Sequence, residues 1–345
     1  SAAASTNAPH GARPWVQTEA AGPAMQPGQD NREGRRRLGT LALQATQASA
    51  AGAQQASETV AIGQTLLIAA GQLDLSVATL AALAGVIGAT RINDGGSELW
   101  AVVLVLLICA LFGLLWGILV AGLKIPPFIL TLGGTSLFAS IALRISKSSP
   151  VPARERFEWL GRAKVFGVQT PIWYFLIVVV IAAFVMRYTR FGRHVYATGS
   201  NEEASYLTGI PTARTKVLCF VISSTLAGFA GLVAMARIST GDPRNGSQLA
   251  LQAIAAVVLG GGTLAGGRGS PIGTFIGVVL LAVVQSALTF NNVQTFWNDA
   301  VFGLVLIFAV VVTAIGDLRR RRFGARPILA SFFRRNEPVR VPSEK

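Results

Sequence analysis

The sequence has very few of the residues that build metal sites and nucleophilic sites. Its 345 residues include only two cysteines, Cys109 and Cys219, and two histidines, His10 and His194. Both cysteines lie inside apolar runs, where a cysteine behaves as a small hydrophobic residue and no disulfide framework is expected. A zinc site or a Cys–His catalytic pair has almost no residues to draw on. This scarcity argues against a metalloenzyme and against a thiol enzyme.

Charged residues are also scarce, and they are segregated. They make up 13% of the chain, against about 25% in an ordinary soluble domain. Seven long stretches carry no Asp, Glu, Lys or Arg: Leu99–Leu123, Ile125–Leu143, Val165–Met186, Val217–Ala236, Asn245–Gly267, Gly269–Asn298 and Ala300–Gly316. A bilayer crossing needs about 20 predominantly apolar residues. We therefore predict an all-α fold, a polytopic helical membrane protein with about nine or ten transmembrane helices.

Enzyme motifs are missing as well. The glycine-rich stretch from Gly260 to Gly269 has no Lys followed by Ser or Thr, which a phosphate-binding Walker A loop requires. We interpret it as a tight turn between two membrane helices, where glycine lets backbones approach. The sequence contains no G-x-S-x-G nucleophile elbow and no carboxylate pair suited to hydrolysis. We expect that the chain is not an enzyme and that it holds no cofactor or metal of its own.

The net charge of +14 has an explanation that does not involve nucleic acid. The basic residues lie mainly beside the apolar stretches and in the tails, as the positive-inside rule predicts. Arg319–Arg322 place the C-terminus in the cytoplasm, and counting back places residues 187–216 and 260–270 on the same side. The charged loop 146–169 then falls on the outer side, against the charge rule. Nucleic acid is not expected as a partner.

Composition divides the chain into three regions. Residues 1–57 are rich in Ala, Gln, Gly and Ser and are expected to be disordered, with a weak possible span at 38–57. Residues 58–317 form the predicted transmembrane domain, and residues 318–345 form a basic cytoplasmic tail.

The longest polar stretch between apolar runs in the C-terminal half, Arg187–Lys216, contains a predicted short helix. Ser200 and Glu203 have the spacing of a capping box, which predicts a helix over about Asn201–Thr208. Gly209 suits the left-handed residue that ends a helix, and Pro211 prevents its continuation. A helix of about two turns is unstable alone, so it is either an ordinary connector between spans or a docking element.

A second polar break interrupts two short apolar segments, Thr59–Leu73 and Leu75–Thr90. Asp74 lies at this break, close to membrane depth, where an ionisable residue is costly. It is interpreted as the N-cap of a helix that starts near Leu75, with a direct role in transport as the alternative.

Three stretches resemble the signatures of one family. Thr189–Ile210, TRFGRHVYATGSNEEASYLTGI, resembles the cytoplasmic coupling segment of ribose/xylose-type ABC-transporter permeases. Gln252–Gly277, which contains LGGGTLAGGRGSPIG, resembles the family's second signature. Gly71–Ser76, GQLDLS, is similar to a third signature, usually GGIDLS, with Gln72 in place of the second glycine. The likeness covers about residues 58–317.

The resemblance implies a permease domain of the type II ABC importer kind, a multi-pass protein of a bacterial inner membrane. The expected partners are a cytoplasmic ATPase subunit that binds the ATP, a periplasmic sugar-binding protein and a second permease subunit, as a homodimer. The imported substrate would be a monosaccharide such as ribose or xylose. The alternatives are a branched-chain amino acid permease or a secondary transporter that needs no ATPase. The secondary transporter is disfavoured because the spans hold almost no carboxylates.

Matching the motifs residue by residue gives two candidate sites. The expected ATPase-coupling residues are Gly192, Arg193, Gly199, Ser200, Asn201, Glu202, Glu203, Ala204, Gly209, Ile210 and Pro211. The expected translocation path or helix break comprises Gly71, Asp74, Ser76, Gly260 and Gly261.

Overall fold

The computed structural model describes residues 58–153, 156–244 and 249–290, together with 300–301, 303–305, 307–308 and 311. The predictions for residues 1–57 and for the tail at 318–345 lie outside the described residues. So does most of the last predicted span, Ala300–Gly316.

Helices dominate the described part of the chain. They are α1 (Glu58–Ala69), α2 (Val77–Asn93), α3 (Glu98–Gly122), α4 (Pro127–Ser146), α5 (Glu158–Gly161), α6 (Thr170–Tyr188), α7 (Arg190–Ser200), α8 (Glu202–Leu207), α9 (Thr212–Ile238), α10 (Leu249–Leu259) and α11 (Pro271–Phe290). Five of them, α3, α4, α6, α9 and α11, are long and apolar enough to cross a membrane, and α1, α2 and α10 are shorter apolar helices. The predicted fold class, a polytopic helical membrane protein, is confirmed.

Small residues set the packing at the centre of this bundle, where α9 lies against α2 and α3. A β-carbon on Gly113 would lie 2.7 Å from the carbonyl oxygen of Phe220, and one on Gly117 would lie 2.7 Å from the Cα atom of Val217. The face that Gly113 and Gly117 form on α3 therefore contacts the backbone of α9 directly, as small-residue faces do in membranes.

The loop between α4 and α6 is more structured than its polar composition predicts. Four two-residue strands occur among the described residues: β1 (Val151–Pro152), β2 (Lys164–Val165), β3 (Val168–Gln169) and β4 (Thr240–Gly241). β1 pairs antiparallel with β4, and β2 pairs antiparallel with β3. Phe157 and Leu160 of this loop are buried. The loop is thus an ordered cap over one end of the bundle, a feature that the sequence analysis missed.

Contacts between loops show which of them share an end of the bundle. At the first end, Asn93 donates a hydrogen bond to Pro152 O over 2.8 Å, and Trp159 donates one to Glu98 Oε2 over 2.8 Å. At the opposite end, Tyr196 of α7 donates to Gly269 O over 2.6 Å. The prediction that residues 187–216 and 260–270 lie on one side of the membrane agrees with this arrangement.

Candidate functional site

Helix α7 links the last turn of α6 to the predicted short helix. Thr189 is its N-cap and accepts a hydrogen bond from Gly192 N over 3.3 Å. Gly192 is buried against the backbone of Met186, so a side chain there would collide with the end of α6. Arg193 lies on the exposed side of this helix. The sequence analysis did not predict α7 as a helix; it treated these residues as part of one polar stretch.

The predicted short helix exists as α8, but its cap is one residue later than expected. Asn201 is the N-cap, and its Oδ1 accepts a hydrogen bond from Ala204 N over 2.9 Å. Ser200 is the last residue of α7 and donates its hydroxyl to Tyr196 O over 2.8 Å, so the Ser200–Glu203 capping box is wrong. Ser200 lies inside a helix, where its hydroxyl bonds back to the preceding turn.

The end of α8 follows the sequence prediction. Gly209 has a φ of 84°, the left-handed conformation that glycine adopts without strain. Gly209 N donates to Tyr206 O over 2.9 Å, and Ile210 N donates to Ser205 O over 3.0 Å. These two bonds close the helix as a Schellman motif does, and Pro211 follows as the N-cap residue of α9.

One ion pair holds the start of α8 against α9. Glu202 Oε1 lies 2.6 Å from Nζ of Lys216, which is buried apart from 9% of its side chain. Glu202 and Glu203 both occupy the first turn of α8, where the helix dipole favours a carboxylate. The pair adds a contact between the start of α8 and α9, beside the caps that end and begin these helices.

Most of the surface of α8 is open. Only Ser205 of this helix is buried. Tyr206 is 69% exposed and Leu207 is 78% exposed. Both side chains lie on a short, capped helix outside the membrane spans, where a partner protein could cover them. The sequence analysis did not single out either residue, since it looked for charged contacts.

The three family-like signatures meet at one place, which we call the glycine junction and define as Gly71, Gly199, Gly266 and Gly267. A β-carbon on Gly266 would lie 2.8 Å from the Cα atom of Gly71, and one on Gly199 would lie 2.7 Å from Gly267 N. Gly267 N also donates a hydrogen bond to Ala69 O, at the end of α1, over 3.0 Å. Backbone therefore touches backbone among α7, the end of α1 and the 260–270 turn.

The Tyr196 side chain fastens α7 to this turn. Its hydroxyl donates to Gly269 O over 2.6 Å. The phenol is protonated at neutral pH, and burial raises the pKa of Tyr196 further above its usual value.

The two predicted helix breaks end their preceding helices with the same hydrogen bonds. After α1, Gly71 N donates to Ile68 O over 3.0 Å and Gln72 N to Leu67 O over 2.8 Å. After α10, Gly261 N donates to Val258 O over 3.0 Å and Gly262 N to Val257 O over 2.9 Å. Gly71 and Gly261 have φ angles of 72° and 89°. Gly260 packs against the backbone of Gly273 at the start of α11, so the prediction of a tight turn with close backbones is confirmed.

Asp74 lies at the first break, fully buried, but it does not cap α2 in the predicted position. The helix begins at Val77 and Ser76 is its N-cap residue. Asp74 Oδ1 accepts hydrogen bonds from Ser76 N over 2.7 Å and from Ser76 Oγ over 2.6 Å. Ser76 Oγ in turn accepts from Trp116 Nε1 of α3 over 3.1 Å. The carboxylate thus orders the backbone just before α2. The helix and its N-cap both lie two residues later than the sequence predicted.

Two further polar residues complete the first break. The Gln64 side-chain amide donates to the carbonyl oxygen of Asp74. Leu75 N donates to Thr131 Oγ1 of α4 over 3.2 Å. Side chains from α1 and α4 therefore bond the irregular backbone that a membrane would leave without water, and Trp116 of α3 bonds the side chain of Ser76.

A cavity of about 650 Å³, open along one side, lies between α6 and α11, near the start of α1. Its lining is mostly apolar, with Glu58 and Ser286 as polar members. The Phe175 and Phe275 rings stack in its wall, with centroids 5.8 Å apart. Its volume lies within the range of small-molecule sites. The sequence analysis missed it because its lining residues have the composition of an ordinary lipid-facing helix.

Comparisons with known proteins agree with this architecture. The model of the family described as "Branched-chain amino acid transport system / permease component" matches residues 58–310. The chain is 36% identical to the ribose import permease protein of Escherichia coli strain K12 over 258 residues, which cover 73% of this chain and 80% of that protein.

Arabinose permeases show the same degree of similarity. The identity to the L-arabinose ABC transporter permease protein of Azospirillum brasilense is 35% over 263 residues, 76% of this chain and 78% of that one. It is 37% to the L-arabinose transport system permease protein of Escherichia coli strain K12 over 253 residues, 73% and 77% of the two chains. No solved structure gave a significant match. The chain belongs to the family of membrane-spanning permease components that includes these sugar ABC-transporter permeases.

Proposed function

We propose that the chain is the membrane subunit of an ABC importer, which moves a monosaccharide across a bacterial inner membrane and is driven by a separate ATPase subunit. The single observation that carries this proposal is α8: a rigidly capped helix with Tyr206 and Leu207 exposed, one residue beyond α7 and next to the glycine junction. The ATPase would cover these two side chains.

The route from α8 into the membrane is short. Asn201 connects α8 directly to α7, and Gly199 near the end of α7 touches both the end of α1 and the 260–270 turn. A displacement of α8 by the ATPase would therefore reach both helix breaks through backbone contacts. Close-packed elements of this kind shift between discrete arrangements and transmit movement. The role of Gly71, Asp74, Ser76, Gly260 and Gly261 would be to let the helices re-orient at the breaks.

The substrate class rests on the relatives. Their names specify ribose and arabinose, so a pentose is the first candidate. The family description names branched-chain amino acids, which makes these the second candidate. The cavity between α6 and α11 is proposed as part of the passage, because its volume suits a small solute.

The proposed assembly contains two copies of this chain, a cytoplasmic ATPase and a periplasmic sugar-binding protein. The ATP is bound by the ATPase, and this chain catalyses no reaction and holds no cofactor. A secondary transporter would need ionisable groups along its path. Two carboxylates are candidates for such a path: Glu58, which lines the cavity, and Asp74. The two hydrogen bonds that Asp74 Oδ1 accepts from Ser76 favour a structural role for Asp74, although its buried Oδ2 has no hydrogen-bond partner among the described residues.

The double variant Tyr206→Ala/Leu207→Ala tests this function. The chain is expressed with its ATPase and binding-protein partners, purified, and reconstituted in vesicles that take up ribose, arabinose or leucine. We expect the variant to lose both the co-purified ATPase and ATP-dependent uptake. The control Leu99→Ala removes an equally exposed side chain, 72% exposed, at the opposite end and should retain both. Uptake that persists in the double variant, or that needs no ATP, would contradict the proposal.

A further inference from the structure

The hairpin β2–β3 carries the most exposed aromatic side chain among the described large hydrophobic residues. Phe166 is 92% exposed at the tip of the hairpin. Val165 and Val168 pair directly behind it, and they are 44% and 37% exposed. Phe166 has a φ of 53° and Gly167 a φ of 78°, the conformation of a two-residue turn that favours Asn-Gly. A bulky residue with positive φ is strained. The aromatic side chain of Phe166 therefore stands at the tip of the hairpin at a conformational cost.

The hairpin is fastened to the first turn of a membrane span. Trp173 Nε1 of α6 donates to Val165 O over 3.2 Å. The Phe166 and Trp173 rings meet edge to face, with centroids 6.4 Å apart. Thr170 N, at the start of α6, donates to Ala163 O over 2.9 Å. The position of the tip relative to the span is therefore fixed.

Trp173 is also the first member of an exposed apolar stripe along α6. Ile177, Val180 and Phe184 follow it at intervals of four, three and four residues, on one helical face. They are 53%, 65% and 60% exposed. Because α6 is apolar enough to span a membrane, this exposed apolar face of the helix lies against lipid. The apolar surface continues from the stripe through Trp173 to Phe166.

We propose that the β2–β3 hairpin is a membrane-interface anchor, with Phe166 inserted at the headgroup–acyl boundary of the leaflet opposite the coupling segment. The occupant of this surface is phospholipid. Aromatic side chains concentrate at this depth of a bilayer. Lys164, exposed at the base of the hairpin, suits the phosphates of the headgroups, whereas Arg162 donates its Nε–H to Arg237 O over 3.1 Å and fastens the loop to α9. The anchor would fix the outer cap, the loop between α4 and α6, at a constant height above the membrane.

The chain is well suited to a depth measurement by spin labelling. Its only two cysteines, Cys109 and Cys219, are 1% and 0% exposed, so an introduced cysteine is labelled selectively. The full chain would carry Phe166→Cys, or Val168→Cys with the Phe166 ring intact, in vesicles of phosphatidylethanolamine and phosphatidylglycerol. The matched control is Arg156→Cys, an exposed position of the same loop.

The outcome is read from how often each label collides with two reagents. Oxygen partitions into lipid, and a nickel chelate stays in water. We expect the ratio of oxygen to nickel accessibility to be severalfold higher at positions 166 and 168 than at position 156. Equal ratios at the three positions would overturn the proposal, because the hairpin would then stand in water. Low accessibility to both reagents at position 166 would also overturn it. That result would mean that a protein, either a second permease copy or a binding protein, covers the tip.

Discussion

The break between α1 and α2 and the break between α10 and α11 begin with the same hydrogen bonds, and they are completed in different ways. At the first break, buried polar side chains bond the irregular backbone: Asp74 with Ser76, supported by Trp116. At the second, glycines of the 260–270 turn let its backbone lie directly against α11, Gly71 and Gly199. Polar side chains hold one arrangement through directed bonds, whereas glycine contacts depend only on the absence of side chains. Both breaks contact the coupling segment through the glycine junction, but only the first is also held by hydrogen bonds of buried side chains.

The largest effect is expected from filling the glycine junction. In Gly199→Ala, the new methyl group would meet Ala69 O and lie 2.7 Å from Gly267 N. Both contacts are backbone atoms that no rotamer change can move away. Overpacking of this kind costs about 1–3 kcal/mol, and we expect the upper end together with loss of substrate uptake. Thermal unfolding in detergent and uptake in vesicles measure the two effects.

Gly133→Ala is the matched control for this variant. Gly133 is also helical, and a β-carbon there meets nothing within 4 Å, so uptake should remain at the parental level and stability should stay level or rise slightly, since Ala favours a helix more than Gly does. If Gly199→Ala behaves like Gly133→Ala, the glycine junction is not a close contact and the contrast between the two breaks is lost.

Removal of the carboxylate at the first break should have the next largest effect. Asp74→Ala leaves the amide and hydroxyl of Ser76 without their acceptor in a buried position. An unsatisfied buried donor costs about 1–3 kcal/mol, so the unfolding midpoint should fall. Asp74→Asn retains an oxygen at the Oδ1 position, and its unfolding midpoint should fall much less. Equal losses for the two variants would show that the charge, and not the hydrogen bonds to Ser76, supports this break.

A smaller effect is expected from the support that α3 gives to the same break. Trp116→Phe removes the indole N–H that donates to Ser76 Oγ over 3.1 Å and keeps most of the ring volume. One neutral hydrogen bond contributes about 0.5–1.5 kcal/mol. The unfolding midpoint should fall by less than in Asp74→Ala. The double variant Trp116→Phe/Asp74→Ala should lose less free energy of unfolding than the two single variants together, since both side chains bond to Ser76.

The sequence predicted local features well and long-range contacts poorly. Gly209 and Pro211 marked the end of α8 correctly, because a helix end depends on residues within one turn. Its start was misplaced by one residue because Ser200 and Asn201 are both good N-caps and adjacent. The cap position depends on where α7 ends, and α7 was treated as part of one polar stretch although its buried residues Gly192, Val195 and Thr198 recur with a helical period.

The glycine junction could not be predicted from the sequence. Gly199 and Gly267 are distant in the chain, and a glycine shows that a close approach is possible without showing what approaches. The same holds for Trp116, which reaches Ser76 from forty positions away along the chain. The β2–β3 hairpin was missed for another reason: its strands have only two residues each, too few for an alternating pattern.

The smallest effect is expected from the ion pair at the start of α8. Glu202→Gln removes the charge that faces Lys216, but the Glu202 side chain is 52% exposed and the pair is screened by solvent. We expect the free energy of unfolding to fall by less than about 1 kcal/mol, and this difference should shrink as the salt concentration rises. Glu203→Gln, at the adjacent exposed position, is the control. A large loss in Glu202→Gln would mean that α8 is held by this pair more than by its caps.

The most direct test of the central claim is hydrogen exchange of the assembled transporter, with and without ATP. The claim is that movement of α8 reaches both helix breaks through the glycine junction. ATP should then change the exchange of α8, of residues 70–76 and of residues 260–270 together. In Tyr206→Ala/Leu207→Ala, mixed with the separately purified ATPase because it should not retain that subunit, none of these segments should respond to ATP. A response of α8 to ATP with unchanged exchange at both breaks would contradict the account.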